Sequence, residues 1–313
     1  MRYAVTGAAG FIGSHLAEAL LAAGHEVVAL DCFTDWYDPR LKEENARAFP
    51  VTRVDLAADP LDFGGIDGVF HLAAQPGVRS FGDVFPVYVR QNVVATQRVF
   101  EAATRSGSRV VFASSSSVYG DAERYPTPEG VTPAPLSPYG ITKVAGEQLA
   151  HAYARAFGLD AVVLRYFNAF GPRQRPDMAF TRIGAALAAG TPFELYGDGR
   201  QTRGFTYVAD VVAATVAAME RGSGTYNVGG GVEASVLDAI AIFEGLAGRK
   251  LEIAHGPAVP GDPRRTSADT TRIRGELGWA PAVSLEEGLK AQWDWLSGRV
   301  AAHERGDAAA APA

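Results

Sequence analysis

The chain has 313 residues, which at roughly 150 per domain allows two domains, or one large α/β domain with a smaller appendage, around a full core. Its 29 Lys and Arg against 35 Asp and Glu leave a net charge of −6, so the balance offers no basic footprint for nucleic acid. Cys32 is the single cysteine, which excludes an internal disulfide, and the six histidines are scattered along the chain rather than spaced as metal ligands. A reduced, cytoplasmic, metal-free protein is expected. The longest apolar stretch, residues 17–30, is broken by Glu18, Gly24, His25 and Glu26, short of the ~20 continuous residues of a membrane span, and no leader pattern opens the chain.

Short runs rich in Val, Ala and Phe at 2–6, 26–31, 52–55, 68–73, 109–114 and 161–165 predict fully buried strands, because a parallel sheet covered on both faces loses polar alternation. Helical patterns lie between them at 14–23, 88–104 and 139–157. The first ends at Gly24, where a left-handed cap is easy. This alternation predicts right-handed crossovers and an α/β doubly wound parallel sheet. After Arg165 the chain turns to segments punctuated by Gly and Pro, with helical patterns at 178–189, 207–220, 237–246 and 285–298 that predict a smaller second lobe. Residues 301–313, ending in an alanine-rich run, give no packing signal and predict a frayed tail. No internal repeat is present.

The first strand runs into Thr6-Gly7-Ala8-Ala9-Gly10-Phe11-Ile12-Gly13. Glycines there let the backbone turn tightly and approach a pyrophosphate seated on the free N–H groups of the following helix. A plain tight turn is the alternative; the strand before and the helix after favour the dinucleotide. Asp31 closes the second strand, where a carboxylate accepts the ribose hydroxyls and repels a 2′-phosphate, so NAD is expected over NADP; a turn-capping role is the alternative. Asp55-Leu56 and Leu72-Ala73-Ala74 fall at strand ends, where such sheets bind ligands. Downstream, Ser114-Ser115-Ser116-Ser117 precedes Tyr139 and Lys143. Tyr and Lys at i and i+4 share a helix face, so an ammonium beside the phenol favours phenolate and a general base.

With these motifs in order, the chain resembles the extended short-chain dehydrogenase/reductases that act on nucleotide sugars, up to about Leu296. The resemblance implies a Rossmann-type sheet with a smaller C-terminal α/β substrate lobe: residues 1–167 with about 203–230 hold NAD, and about 168–202 with 231–300 hold the nucleotide sugar. It implies Tyr139 as base, Lys143 as its electrostatic partner and Ser115 as the hydroxyl that orients the sugar. Cofactor contacts are implied at Gly7, Ala9, Gly10, Phe11, Ile12, Gly13, Asp31, Phe33, Asp55, Leu56, Leu72, Ala73, Ala74, Asn92, Ser114, Tyr139, Lys143 and Tyr166. Substrate contacts are implied at Val78, Arg79, Ser115, Ser116, Ser117, Tyr139, Asn168, Arg175, Met178, Tyr196, Gln201, Arg203 and Arg264. A planar guanidinium suits the UDP oxygens, which gives Arg203 and Arg264 their part.

Three segments are similar to those of UDP-glucuronic acid 4-epimerases: 31–42 with Trp36-Tyr37, 73–79 with Gln75-Pro76, and Gly171-Pro172-Arg173-Gln174-Arg175-Pro176-Asp177-Met178. In the last, Arg175 is the partner expected for a C6 carboxylate. Asn168 departs from this pattern and resembles the UDP-glucose 4-epimerases, which stay open as the alternative, as does acceptance of both sugars. Related UDP-glucuronate decarboxylases have glutamate where this chain has Ser117, so the carboxylate is expected to be kept. A non-catalytic dinucleotide-binding protein is disfavoured by the Tyr/Lys pair. A UDP-sugar substrate and a homodimer, packed through the helices at 88–104 and 139–157, complete the expectation.

Overall fold

The structure, a computed structural model, describes residues 1–77, 81–230, 232–257 and 264–304, with side chains to 299. Strands β1 (Arg2–Thr6), β2 (Glu26–Asp31), β3 (Val51–Arg53), β4 (Gly68–His71), β5 (Arg109–Ser115) and β6 (Ala161–Tyr166) lie where the apolar runs placed them, within two residues at each end. A seventh strand, Gly224–Val228, was not read from the sequence and forms the far edge. The order is Gly224–Val228, β6, β5, β4, β1, β2, β3, with every pairing parallel. The chain reverses its winding between β1 and β4, and their carboxyl ends diverge into the crevice where open α/β sheets hold ligands.

Alternation within each strand sends side chains to two cores. On one face Tyr3, Val5, Phe70 and Val111 pack with Leu16 and Leu20 of α1 (Phe11–Ala22) and with the Val208–Arg221 helix. On the other, Ala4, Val69, Val110 and Phe112 meet Val99 and Phe100 of the Ala95–Ser106 helix and Ala150 and Tyr153 of the Pro138–Phe157 helix. A separate cluster around Phe170, Phe180, Ile183, Leu187, Phe243 and Leu289 holds the smaller lobe. Helix α1 ends as expected, with Gly24 left-handed at φ 81°.

Two of the helices reach beyond the sequence reading. The pattern at 88–104 begins earlier, at Phe85, and passes through a π-helical turn over Val89–Val94 before Ala95–Ser106. Pro86 in the first turn lacks an N–H that would be unpaired there, so it starts this helix rather than preventing it. The last helix runs Leu285–Glu304, past Gly298 and four residues into the segment expected to fray; Ala301 and Ala302 are strong helix formers and carry it on. Residues 305–313 lie outside the described residues. None of the described helices is long and apolar enough to cross a membrane, and among the described residues no group of three His, Cys, Asp or Glu is placed to hold a metal ion.

Candidate active site

A cleft of about 1150 Å³, counted to its mouth, follows the carboxyl ends of β1, β2, β4, β5 and β6. Its floor starts at the glycine turn. A Cβ on Gly7, which is left-handed at φ 71°, would lie 2.8 Å from the Ala73 amide nitrogen, and one on Gly13 would lie 2.1 Å from the Gly7 carbonyl oxygen. Only glycine lets the turn, α1 and the β4 loop close up this tightly. Gly10 caps α1 without a side-chain bond, and the first amide to find an acceptor inside the helix is that of Ser14. The amides of Phe11, Ile12 and Gly13 therefore face the cleft as donors, in the field of the helix N-terminus.

Asp31 takes the turn-capping role and stays open to the cleft. Its carboxylate accepts from the Ala9 amide at 3.1 Å and the Phe33 amide at 2.8 Å, tying down the glycine turn, and it lines the cleft. Gln75 also lines the cleft, and its Nε2 is buried without a partner. An adenosine ribose on Asp31, a diphosphate on the α1 amides and an acceptor for Gln75 make a dinucleotide a good fit for the donors and acceptors present. Leu56, Leu72, Ala73, Ala74, Ser114 and Tyr166 line the same cleft.

Asp55, Phe33, Ala9 and Asn92 stand behind it. The Asp55 carboxylate takes Arg90 at 2.5 Å and the Ala57 amide at 2.9 Å. Asn92, in the π-helical turn, grips the Gln75 backbone from both sides, accepting from its amide at 2.6 Å and donating to its carbonyl at 3.0 Å. Thus Asn92 positions the cleft wall rather than lining it. The wall opposite comes from Thr34, Trp36, Tyr37 and Lys42, none of which was singled out as a site residue. Lys42 is buried, donates to Thr34 at 2.7 and 2.8 Å and lies over the Tyr37 ring at 4.9 Å. The signal available for this wall was the similarity of segment 31–42 to glucuronate epimerases.

At the far end the Pro138–Phe157 helix starts on a Ser137 cap and Pro138, which puts Tyr139 in its first turn and Lys143 on the same buried face. The Lys143 ammonium is 5.7 Å from the Tyr139 ring centroid and donates to the Ala113 carbonyl at 2.7 Å. The Ser115 side chain is near enough to the Tyr139 phenol to draw its pKa down. The charge balance has members that spacing does not show. Burial raises the Tyr139 phenol above its ordinary value, and the groups that pull it back are Arg175 and the Ser115 side chain. Lys143 itself is pushed down to about 7 by burial, with Glu147 opposing the shift. Arg175 is thus a further cation, besides Lys143, that favours phenolate in this site.

Arg175 lines the cleft too, in the same space as Tyr139. The other expected sugar contacts are dispersed. Ser115 caps the Ser117 amide at 3.1 Å, and Ser116 is half-buried beside it. Asn168, left-handed at φ 36°, donates to Gly204 and Thr266. Met178 caps the Ala179–Ala189 helix, and the Tyr196 hydroxyl donates to Glu194. Gln201 has a buried, unpartnered Oε1, Arg203 bonds the Thr202 carbonyl, and Arg264 meets Asp198 at 3.4 Å. Asn168, Arg203 and Thr266 are brought together around the Thr202–Gly204 strand. Val78 and Arg79 lie outside the described residues.

A doubly wound sheet with this turn and a Tyr/Lys pair at one crevice defines a dinucleotide-dependent enzyme of the short-chain dehydrogenase/reductase type. The chain belongs to the NAD dependent epimerase/dehydratase family, whose model matches residues 3–229. It is 40% identical over 311 residues to the uncharacterized UDP-glucose epimerase YtcB of Bacillus subtilis, covering 95% of this chain and 98% of that one. The UDP-glucuronic acid 4-epimerase of Bacillus cereus, solved with UDP-glucuronic acid and NAD, superposes at a TM-score of 0.91 with 41% identity, covering 94% of this chain and 98% of its own. MoeE5, solved with NAD and either UDP-glucuronic acid or UDP-glucose, superposes at 0.85 with 42% identity and the same coverage.

Proposed function

We propose that the protein epimerises UDP-glucuronate at C4 to UDP-galacturonate, holding NAD through the cycle. The observation that carries this is Arg175, which opens into the cleft shared by Tyr139 and Lys143 and supplies a cation for a C6 carboxylate. Tyr139 acts as phenolate, the form that Arg175 and Ser115 favour; it takes the 4-hydroxyl proton and becomes the phenol while Ser115 holds the same oxygen. NAD, held by Asp31 and the α1 amides, would supply the acceptor and donor of hydride at C4, so that the 4-keto sugar can be reduced again on its other face. That keto sugar is a β-keto acid, and it keeps its carboxylate as long as the guanidinium holds the C–CO₂ bond out of line with the carbonyl π-system. The smaller lobe, with Arg203 and Arg264, is assigned to the UDP moiety.

A second reading, UDP-glucose as substrate, is favoured by Asn168 and by the two sugars found in MoeE5. Incubation of the purified protein with each UDP-sugar, with products resolved by NMR, tests both. Conversion of UDP-glucuronate to UDP-galacturonate without added NAD is the expected result; conversion of UDP-glucose alone selects the second reading, and no conversion of either overturns both. We further assign a homodimer contact to the helical layer that exposes Phe85, Val87, Val94 and Ile141, an apolar set that a second copy would cover. Sedimentation velocity reads this directly. A cytoplasmic location fits the single cysteine.

A further inference from the structure

Arg175 meets the cleft already paired. Its Nε and Nη2 donate to the two oxygens of Asp177 at 2.9 and 3.0 Å, a bidentate fork. The two side chains stand at different depths, Arg175 22% exposed and Asp177 43% exposed, so the aspartate backs the arginine from the solvent side. Lys42 and the phenols of Tyr37 and Tyr139 also lie within electrostatic reach of Arg175, and none of these three is an anion at neutral pH. Asp177 is the carboxylate hydrogen-bonded to the guanidinium when no acidic sugar is present.

We propose that Asp177 sets the sugar preference of this site by neutralising Arg175, which lets a neutral C6 hydroxymethyl group occupy a position that an unpaired guanidinium would reserve for a carboxylate. The inference rests on the epimerase reading above. A cation closed off from water against an uncharged group is strongly penalised unless another partner stays with it. With Asp177 in place, a neutral hexose closes the cleft over charges that already cancel. Arginine has five N–H donors, of which Asp177 engages two, so a sugar carboxylate can bind the remaining edge. There it shares one cation with a second anion, and like charges so placed weaken each other's binding. The aspartate therefore narrows the gap between acidic and neutral sugars from both sides.

The test compares kcat/KM for UDP-glucuronate and UDP-glucose in the NAD-loaded wild type, Asp177→Asn, Asp177→Ser, Arg175→Ala and the double variant Arg175→Ala/Asp177→Asn. In Asp177→Asn and Asp177→Ser the ratio of the two should move toward the acid on the order of tenfold, through a higher KM for UDP-glucose. In the Arg175→Ala background the Asp177→Asn change should leave the ratio where it was. An unchanged or reversed ratio in both single Asp177 variants, with Arg175→Ala still selective against the acid, overturns the role of Asp177 and leaves the epimerase reading intact. Equal losses on both sugars in Arg175→Ala overturn the assignment of Arg175, and this inference with it.

Discussion

Glu147 and Arg165 form a sealed ion pair one side chain behind the cleft: Arg165 Nε and Nη2 donate to the two Glu147 oxygens at 2.9 and 2.7 Å, with the side chains 1% and 6% exposed. Ser114, which lines the cleft, donates to the same carboxylate at 2.5 Å, and Arg165 also reaches the Tyr119 hydroxyl. Removing one partner strands the other charge. Glu147→Gln should cost about 3–5 kcal/mol of stability, and the double change Glu147→Leu/Arg165→Met clearly less. Denaturant melts of the three proteins check this, and equal losses in single and double variants would contradict it.

Tyr139→Phe keeps the shape of the site and deletes the base. Turnover should fall at least ~10²-fold, while UDP-sugar binding measured by calorimetry largely survives. Ser115→Ala should move the rising limb of the pH–rate profile, set by ionisation of Tyr139, to higher pH, since one of the interactions that draws Tyr139 down is lost. Near-normal turnover in folded Tyr139→Phe would falsify the assignment.

Arg175→Ala should cost UDP-glucuronate about 2–4 kcal/mol of transition-state binding, some 30- to 10³-fold in kcat/KM, and UDP-glucose much less. A carboxylate freed from its clamp can align with the C4 carbonyl, so a UDP-pentose should appear among the products by mass spectrometry.

The protein as purified should release NAD on denaturation. Gly13→Ala, whose methyl would meet the Gly7 carbonyl, should both lower the melting temperature and strip the nucleotide. Full NAD occupancy in this variant would mean that the turn tolerates a Cβ and that the close approach is not required.

His71 is wholly buried between Thr6 and Thr96, with its ring nitrogens 2.8 and 3.0 Å from their hydroxyls, and burial lowers it from 6.5 to about 3. The unfolded chain binds this proton below 6.5 and the folded one does not. Stability is therefore complete above 6.5 and declines as pH falls toward 3, by about 1.4 kcal/mol per pH unit from this group. His15, lowered by burial in the same way, adds to the loss. Chemical melts between pH 7.5 and 5 should show the decline, and His71→Gln should flatten it.

The sheet was legible because its strands are buried on both faces and so read as unbroken apolar runs. Gly224–Val228 escaped because it carries Thr225 and Asn227; the Asn227 side chain is buried against Tyr119 and the Thr127 carbonyl, a satisfaction that pattern cannot reveal. The glycine turn and the Tyr139/Lys143 pair were legible from their spacing taken together with the flanking strands and helices and with each other. Their charge balance was not, since it depends on burial depth and on Arg175, which is brought in from 32 residues beyond Lys143. The Thr34–Lys42 wall was legible only as a resemblance of segment 31–42, since residue type and spacing do not say that Trp36, Tyr37 and Lys42 turn toward the cleft.

The latch that Asp31 makes on the glycine turn constrains how the cofactor preference of this chain can be changed. A redesign that replaces this carboxylate to admit a 2′-phosphate also unlatches the Ala9 amide, loosening the diphosphate cradle at the moment a bulkier dinucleotide is invited in. Conversion to NADP therefore calls for at least two coordinated substitutions, one to receive the added phosphate and another to re-anchor the turn. A lone exchange at position 31 yields an enzyme that holds either nucleotide poorly.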